Sequence, residues 1–272
     1  VKLLSPGSCV IVVSADNMPR NGDLHFSYRQ SSDLFYLTGI NQEETFLLLY
    51  SDGTEILFIQ KPDPLRITWE GPKLSADEAS IISGIKNIKF THDFDTELKS
   101  AASLFDTIYL NRNENPRYQP VVETAEDRFI KEIRQKFPLN SLQRLAPLLT
   151  TLRLIKEPEE IALIEKSVEI TRKGFEKVLK KITPGMKEYE LEAELVYEFL
   201  RNGAQNQAFE TIVASGGNAC YLHYIKNNST IADGEMVLLD FGAEYANYAA
   251  DCSRTIPANG HYSKRQLYVY EA

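Results

Sequence analysis

Two aspartates stand in apolar, strand-like runs where a charge is out of place. Asp240 closes most of Met236-Val237-Leu238-Leu239-Asp240-Phe241, and Asp251 sits inside Tyr248-Ala249-Ala250-Asp251-Cys252-Ser253-Arg254-Thr255. If the two runs form an antiparallel hairpin turning between Tyr245 and Ala246, the aspartates face each other directly, with Cβ atoms about 4.5–5.5 Å apart. Like charges so placed destabilise a sheet, and burying them is costly for each ion. Something positive should then lie between them. A pair of divalent metal ions about 3.5–4 Å apart is one occupant. Oxygen donors suit Mn, Mg or Ca, with Zn and Co also compatible. The other reading is structural: Asp251 pairs with Arg254 or Lys226, or one aspartate lies in a turn. Register decides, because a one-residue slip sends the carboxylates to opposite faces.

His223 is the second candidate, in Asn218-Ala219-Cys220-Tyr221-Leu222-His223-Tyr224 after a Gly216-Gly217 turn. An imidazole there can bind a substrate carbonyl or an oxyanion, although a lone His among aromatics is more often structural. Gly216-Gly217 carries no Gly-Lys-Ser/Thr or G-x-G-x-x-G pattern, and neither G-x-S-x-G nor H-E-x-x-H occurs. The cysteines, Cys9, Cys220 and Cys252, are too few and too widely spaced for a disulfide framework or a metal knuckle. Reduced thiols in a cytoplasmic protein are the expectation.

The elements that must position these residues follow from hydrophobic pattern. Strands are expected at Val10–Ser14, Thr45–Tyr50, Glu55–Gln60 and Asp106–Leu110, the middle two joined as a hairpin by Ser51-Asp52-Gly53-Thr54. Helices are expected at Ser75–Ile82 and Thr124–Phe137. Pro158 followed by Glu159 and Glu160 starts a helix that runs to about Ile182, with an apolar stripe of Ile161, Ile164, Val168, Phe175 and Val178. A second helix spans Glu188–Arg201 and stops at Asn202-Gly203. Strands at Thr211–Ala214, Met236–Phe241 and Tyr248–Ile256 and a helical pattern from Lys264 complete the chain. The result is an α/β protein of two domains, 1–155 and 156–272. At 272 residues and 43% hydrophobic, it can bury a sizeable core. A net charge of −8 argues against nucleic-acid binding. The longest uncharged run, Thr211–Ile225, is too short and too polar to span a membrane.

The segments around His223, Asp240 and Asp251 resemble the pita-bread metallopeptidases, and within them the Xaa-Pro aminopeptidases (aminopeptidase P). The resemblance extends through Thr211–Gly216 and Lys156–Ile161 and into the first half, at Arg20-Asn21-Gly22-Asp23 and Tyr28–Gly39. It implies a creatinase/aminopeptidase P-like α/β N-terminal domain followed by the first half of a pita-bread α+β domain. It further implies Asp240 as ligand to one metal, Asp251 as the carboxylate bridging two, and His223 as the histidine that contacts substrate near the scissile bond. The implied chemistry is hydrolysis of the bond before proline in a proline-containing peptide, with two divalent ions, Mn first and Zn or Co as options, and a homo-oligomeric enzyme. Prolidase-type dipeptidases and non-catalytic relatives share the fold and are the alternatives. The family completes its site with a further His and two Glu that lie downstream. This sequence ends at Ala272, and His261, ten residues past Asp251, cannot replace that His. An inactive fragment with an incomplete site is therefore the expectation.

Overall fold

The computed structural model describes residues 1–119 and 121–272. They form two compact units, Val1–Ile155 and Lys156–Ala272.

The first unit is built on Ser8–Val13 (β1), apolar at nearly every position and buried along its whole length, as befits a strand covered on both faces. Around it lie β2 (Phe46–Tyr50), β3 (Glu55–Ile59), β4 (Ile88–Phe90), β5 (Thr107–Leu110) and β6 (Ser141–Arg144), in the order β4-β3-β2-β1-β5-β6. β1 pairs antiparallel with β2 and parallel with β5, so the sheet is mixed. The β2–β3 hairpin turns at Ser51–Thr54 as expected. Gly53 adopts a φ of 100°, and Tyr50 N–H donates to the Thr54 carbonyl at 2.8 Å. Helices α1 (Ser32–Thr38), α2 (Ala76–Ser83), α3 (Phe94–Leu104), α4 (Ala125–Lys136) and α5 (Ala146–Leu154) cover both faces. Leu98 and Ile133 of α3 and α4 meet Cys9, Ile11, Phe58 and Ile108 on one side. Leu34, Ala79 and Leu149 of α1, α2 and α5 meet Val10, Val12, Leu57 and Ile59 on the other. Each large side chain fully buried this way contributes about 1.5–3 kcal/mol.

The second unit packs two helices, α6 (Pro158–Lys181) and α7 (Glu188–Arg201), on short strands. The strands are β7 (Asn206–Gln207), β8 (Ile212–Ser215), β9 (Met236–Phe241), β10 (Ala243–Tyr245), β11 (Tyr248–Ala249) and β12 (Cys252–Pro257), and helix α8 (Lys264–Glu271) ends the chain. They form two three-stranded sheets, β8-β9-β12 and β11-β10-β7.

Two expectations need correction here. The buried stripe of α6 is Ser167, Ile170, Thr171, Gly174 and Val178, whereas Ile161 and Val168 are about half exposed. The helix approaches its neighbours too closely for a stripe of branched residues. A Cβ on Gly174 would lie 2.7 Å from the Phe199 ring, and Thr171 Oγ1 accepts the Ala243 N–H at 2.9 Å. The run Tyr248–Ile256 is likewise two strands, interrupted at Ala250-Asp251 where the chain passes from one sheet to the other. At the same level Gly242 leaves β9: a Cβ there would fall 1.8 Å from the Ala250 carbonyl oxygen.

Candidate metal and substrate site

β9 alternates cleanly. Val237, Leu239 and Phe241 are buried against the helices, while Met236, Leu238 and Asp240 are half buried on the opposite face. Parity alone therefore turns Asp240 away from the core. Its pairing differs from the sequence-based register. Asp240 stands opposite Ser253, and Phe241 opposite Cys252. The turn falls on Ala246-Asn247, both with positive φ, between the paired Tyr245 and Tyr248. That is the geometry of a type I′ hairpin. The hairpin centre thus lies one residue later than expected, and Asp240 and Asp251 are not directly opposed.

They meet nevertheless. Asp251 occupies the break between β11 and β12, next to Ala250, whose N–H donates to the Ala243 carbonyl at 3.0 Å. From there its carboxyl is close enough to that of Asp240 for lost hydration, followed by the Asp240 charge, to hold Asp251 above the usual carboxylate range. Ser253 Oγ donates to Asp240 Oδ1 at 3.0 Å, fixing the other carboxylate from its cross-strand position. Arg254, considered above as a partner for Asp251, donates instead to the Ser253 carbonyl at 2.7 Å. Two hard oxygen donors forced together against their mutual repulsion fit one side of a divalent-cation site. Among the described residues no group of three His, Cys, Asp or Glu side chains is disposed to hold a metal ion.

His223 lies elsewhere in the unit, exposed in the long connection between β8 and β9. No hydrogen bond or ion pair joins it to either aspartate. The connection is nonetheless firmly tied, by residues that sequence reasoning missed. Glu188, the first residue of α7, is fully buried. Its Oε1 accepts from Ser215 N–H (2.8 Å), Ser215 Oγ (2.8 Å) and Asn218 Nδ2 (3.0 Å). Its Oε2 accepts from Tyr224 Oη (2.7 Å) and Ser229 N–H (2.9 Å). Burial pushes this carboxyl up, but these donors outweigh it and bring it below the ordinary range. An acid in the first turn of a helix reads in sequence as a complement to the dipole. Only the polar cluster Asn227-Asn228-Ser229 hinted at partners.

The comparisons with known proteins follow this geometry. Residues 162–272 match the family model for metallopeptidase family M24, and residues 1–109 that for the aminopeptidase P N-terminal domain. The chain is 35% identical to the Xaa-Pro aminopeptidase of Escherichia coli, over 100% of this chain and 63% of that protein. It is 34% identical to the Xaa-Pro aminopeptidase of Haemophilus influenzae, over 98% of this chain and 61% of that protein. Among solved structures, aminopeptidase PepP of Pseudomonas aeruginosa superposes with a TM-score of 0.88 at 34% identity, covering 99% of this chain and 62% of that one. Aminopeptidase P of Escherichia coli does so with a TM-score of 0.87 at 31% identity, covering 99% and 62%. The chain spans less than two thirds of the length of each. No helix among the described residues is long and apolar enough to cross a membrane.

Proposed function

The chain belongs to the M24 metallopeptidases through its second unit and carries the aminopeptidase P N-terminal domain in its first, and from that premise we propose that it is part of an Xaa-Pro aminopeptidase. Such an enzyme releases the first residue of a peptide with proline in second place. The observation that carries this reading is that Asp251, two residues before the cross-strand partner of Asp240, lies near enough to feel its charge where strand β12 begins. They are the residues that would hold divalent metal; their oxygen donors suit Mn, Mg or Ca alike, and the family resemblance puts Mn first. When bound, the metal supplies Lewis-acid polarisation of the scissile carbonyl. The chain's own contribution is positional. Ser253 orients Asp240, and the interrupted strand at Ala250-Asp251 brings the second carboxylate alongside the first. His223 is assigned to substrate contact near the scissile bond, where its imidazole can donate to developing negative charge. We assign the protein to the cytoplasm on its three unpaired thiols and to a homo-oligomer on the family resemblance.

The chain taken alone offers two of the donors a two-metal centre requires, and hydrolysis needs both ions fixed. The test is release of the first residue from an Xaa-Pro-Xaa peptide with added Mn, measured for the whole enzyme and for residues 1–272. Turnover by the whole enzyme that is lost in Asp251→Ala, with none by residues 1–272, is the expected pattern. Turnover by residues 1–272 would show that the site needs less than argued, and none by the whole enzyme would remove the function.

A further inference from the structure

β8 is the edge strand of its sheet, yet its outer edge is not left open. Asn227 is 2% exposed and held at a φ of 43°. Its Oδ1 accepts the Val213 N–H at 3.0 Å, and its Nδ2 donates to the Thr211 carbonyl at 2.8 Å and to Glu192 Oε2 at 2.8 Å. The side-chain amide thus takes the place of a neighbouring strand for two ladder groups. One step along the edge, the Glu188 carboxylate takes the Ser215 N–H. The same carboxylate holds Asn218 near the start of the connection and Tyr224 and Ser229 farther along it. The segment carrying His223 is therefore fastened on both sides, and Tyr224, the residue next to His223, is itself one of the fastenings.

We propose that Glu188, assisted by Asn227, is a positioning residue that fixes the 216–229 connection on the β8 edge and so sets where His223 is presented. The proposal rests on the assignment of His223 to substrate contact. The chemistry of the clamp explains its choice of residue. A buried carboxylate is an acceptor only, and here every group facing it can donate. A glutamine of the same size must turn its NH2 toward one set of donors. Facing Tyr224 and Ser229, it leaves the Ser229 N–H without an acceptor; facing Ser215 and Asn218, it orphans the Ser215 N–H.

Two measurements on Glu188→Gln test this. The first uses the chain itself. Of its four histidines, the His223 ring signal is identified by its loss in His223→Ala. In Glu188→Gln that signal should move to the position of an unstructured histidine, with the Ser215 and Ser229 amides exchanging at least about 10-fold faster. Unchanged ring signal and amide protection overturn the proposal. Tyr224→Phe removes one donor and leaves the carboxylate in place, so it should give a smaller shift of the His223 ring even if Glu188→Gln does not fold. A ring signal unmoved in Tyr224→Phe also counts against the clamp.

The second measurement is kinetic, on the whole enzyme. Misplacement of a contact group by about 1 Å costs on the order of 10²-fold, so Glu188→Gln should lower kcat on that scale. The double variant with His223→Ala should then turn over no more slowly than His223→Ala alone. Multiplicative losses would show that Glu188 acts by another route. If His223→Ala is itself without effect, the assignment of His223 fails, and the ring and amide readouts still decide whether Glu188 holds the connection.

Discussion

Glu126, at the start of α4, is a half-buried carboxyl of the first unit whose neighbours favour its neutral form. Burial pushes it up to about 7, opposed by the Ser31 hydroxyl at 3.3 Å and assisted by the charges of Asp33, Asp127 and Asp16. Those three acids have basic partners of their own, Arg153, Arg112 and Arg128, so none of the guanidinium groups is left to serve Glu126. The folded value lies above the ordinary 4.5, so the folded state binds the proton more tightly than the unfolded one. Stability from this group is then fully present below about pH 4.5, declines between there and about pH 7, and is absent above. The interval is about 2.5 pH units, which corresponds to roughly 3 kcal/mol of penalty at pH 8. Glu126→Gln removes the charge and keeps the acceptor for Ser31. It should therefore stabilise the first unit at pH 8 by about 1–3 kcal/mol, allowing for relaxation around the ion, and change it little at pH 4. Because the chain has two units, a single melting curve is a poor readout. Hydrogen exchange of the Val10–Val13 amides in β1 reports the first unit specifically. Equal protection in the two proteins at pH 8, or a gain that is the same at both pH values, would refute the account of Glu126 as a neutralised carboxyl.

Gly242→Ala places a methyl inside contact distance of the Ala250 backbone, so the second unit should lose at least about 3 kcal/mol in urea denaturation; a loss under 1 kcal/mol would contradict the crossing geometry. Cys9 is buried, with its thiol pushed up to about 12, while Cys220 is exposed. A thiol reagent at pH 8 should accordingly modify Cys220 at once and Cys9 only after unfolding, a difference that mass spectrometry of the labelled peptides will score. Tyr221, Leu222 and Ile225 are exposed together in the connection that carries His223, and apolar surface of this kind drives association. Light scattering of residues 1–272 should show a species larger than the monomer, and a monodisperse monomer at 50 μM or so would count against the proposed oligomer.

Much of this was legible from pattern alone. The four inner strands of the first sheet were visible because Ser8–Val13 and its neighbours are largely apolar. The edge strands Ile88–Phe90 and Ser141–Arg144 were missed because the first is short and the second polar, and Glu188–Arg201 was visible because Leu191, Leu195 and Phe199 recur at helical spacing. The two aspartates drew notice for the converse reason, as charges in apolar strands. Their register was misread because Ala246-Asn247 lacks the Asn-Gly or Asp-Gly signature of a type I′ turn. The buried face of α6 was misread because close helix packing selects Ser167, Thr171 and Gly174, which a search for apolar periodicity passes over. Glu188 was invisible for a third reason: a carboxylate's value as an acceptor depends on donors that are distant in sequence, and these assemble only on folding.

The amide of Asn227 and the carboxylate of Glu188 give the β8-β9-β12 sheet a polarity in how it can grow. The Val213 and Ser215 N–H groups and the Thr211 carbonyl on the β8 margin are already taken by side chains, whereas the middle of β12 at the far margin, Ser253–Thr255, is exposed. Open margins on both sides would let molecules join in an endless row. With the β8 margin of this sheet held by side chains, β12 is its margin left to accept a further strand. The side chains that tie down one connection thereby also guard the β8 edge against strand addition.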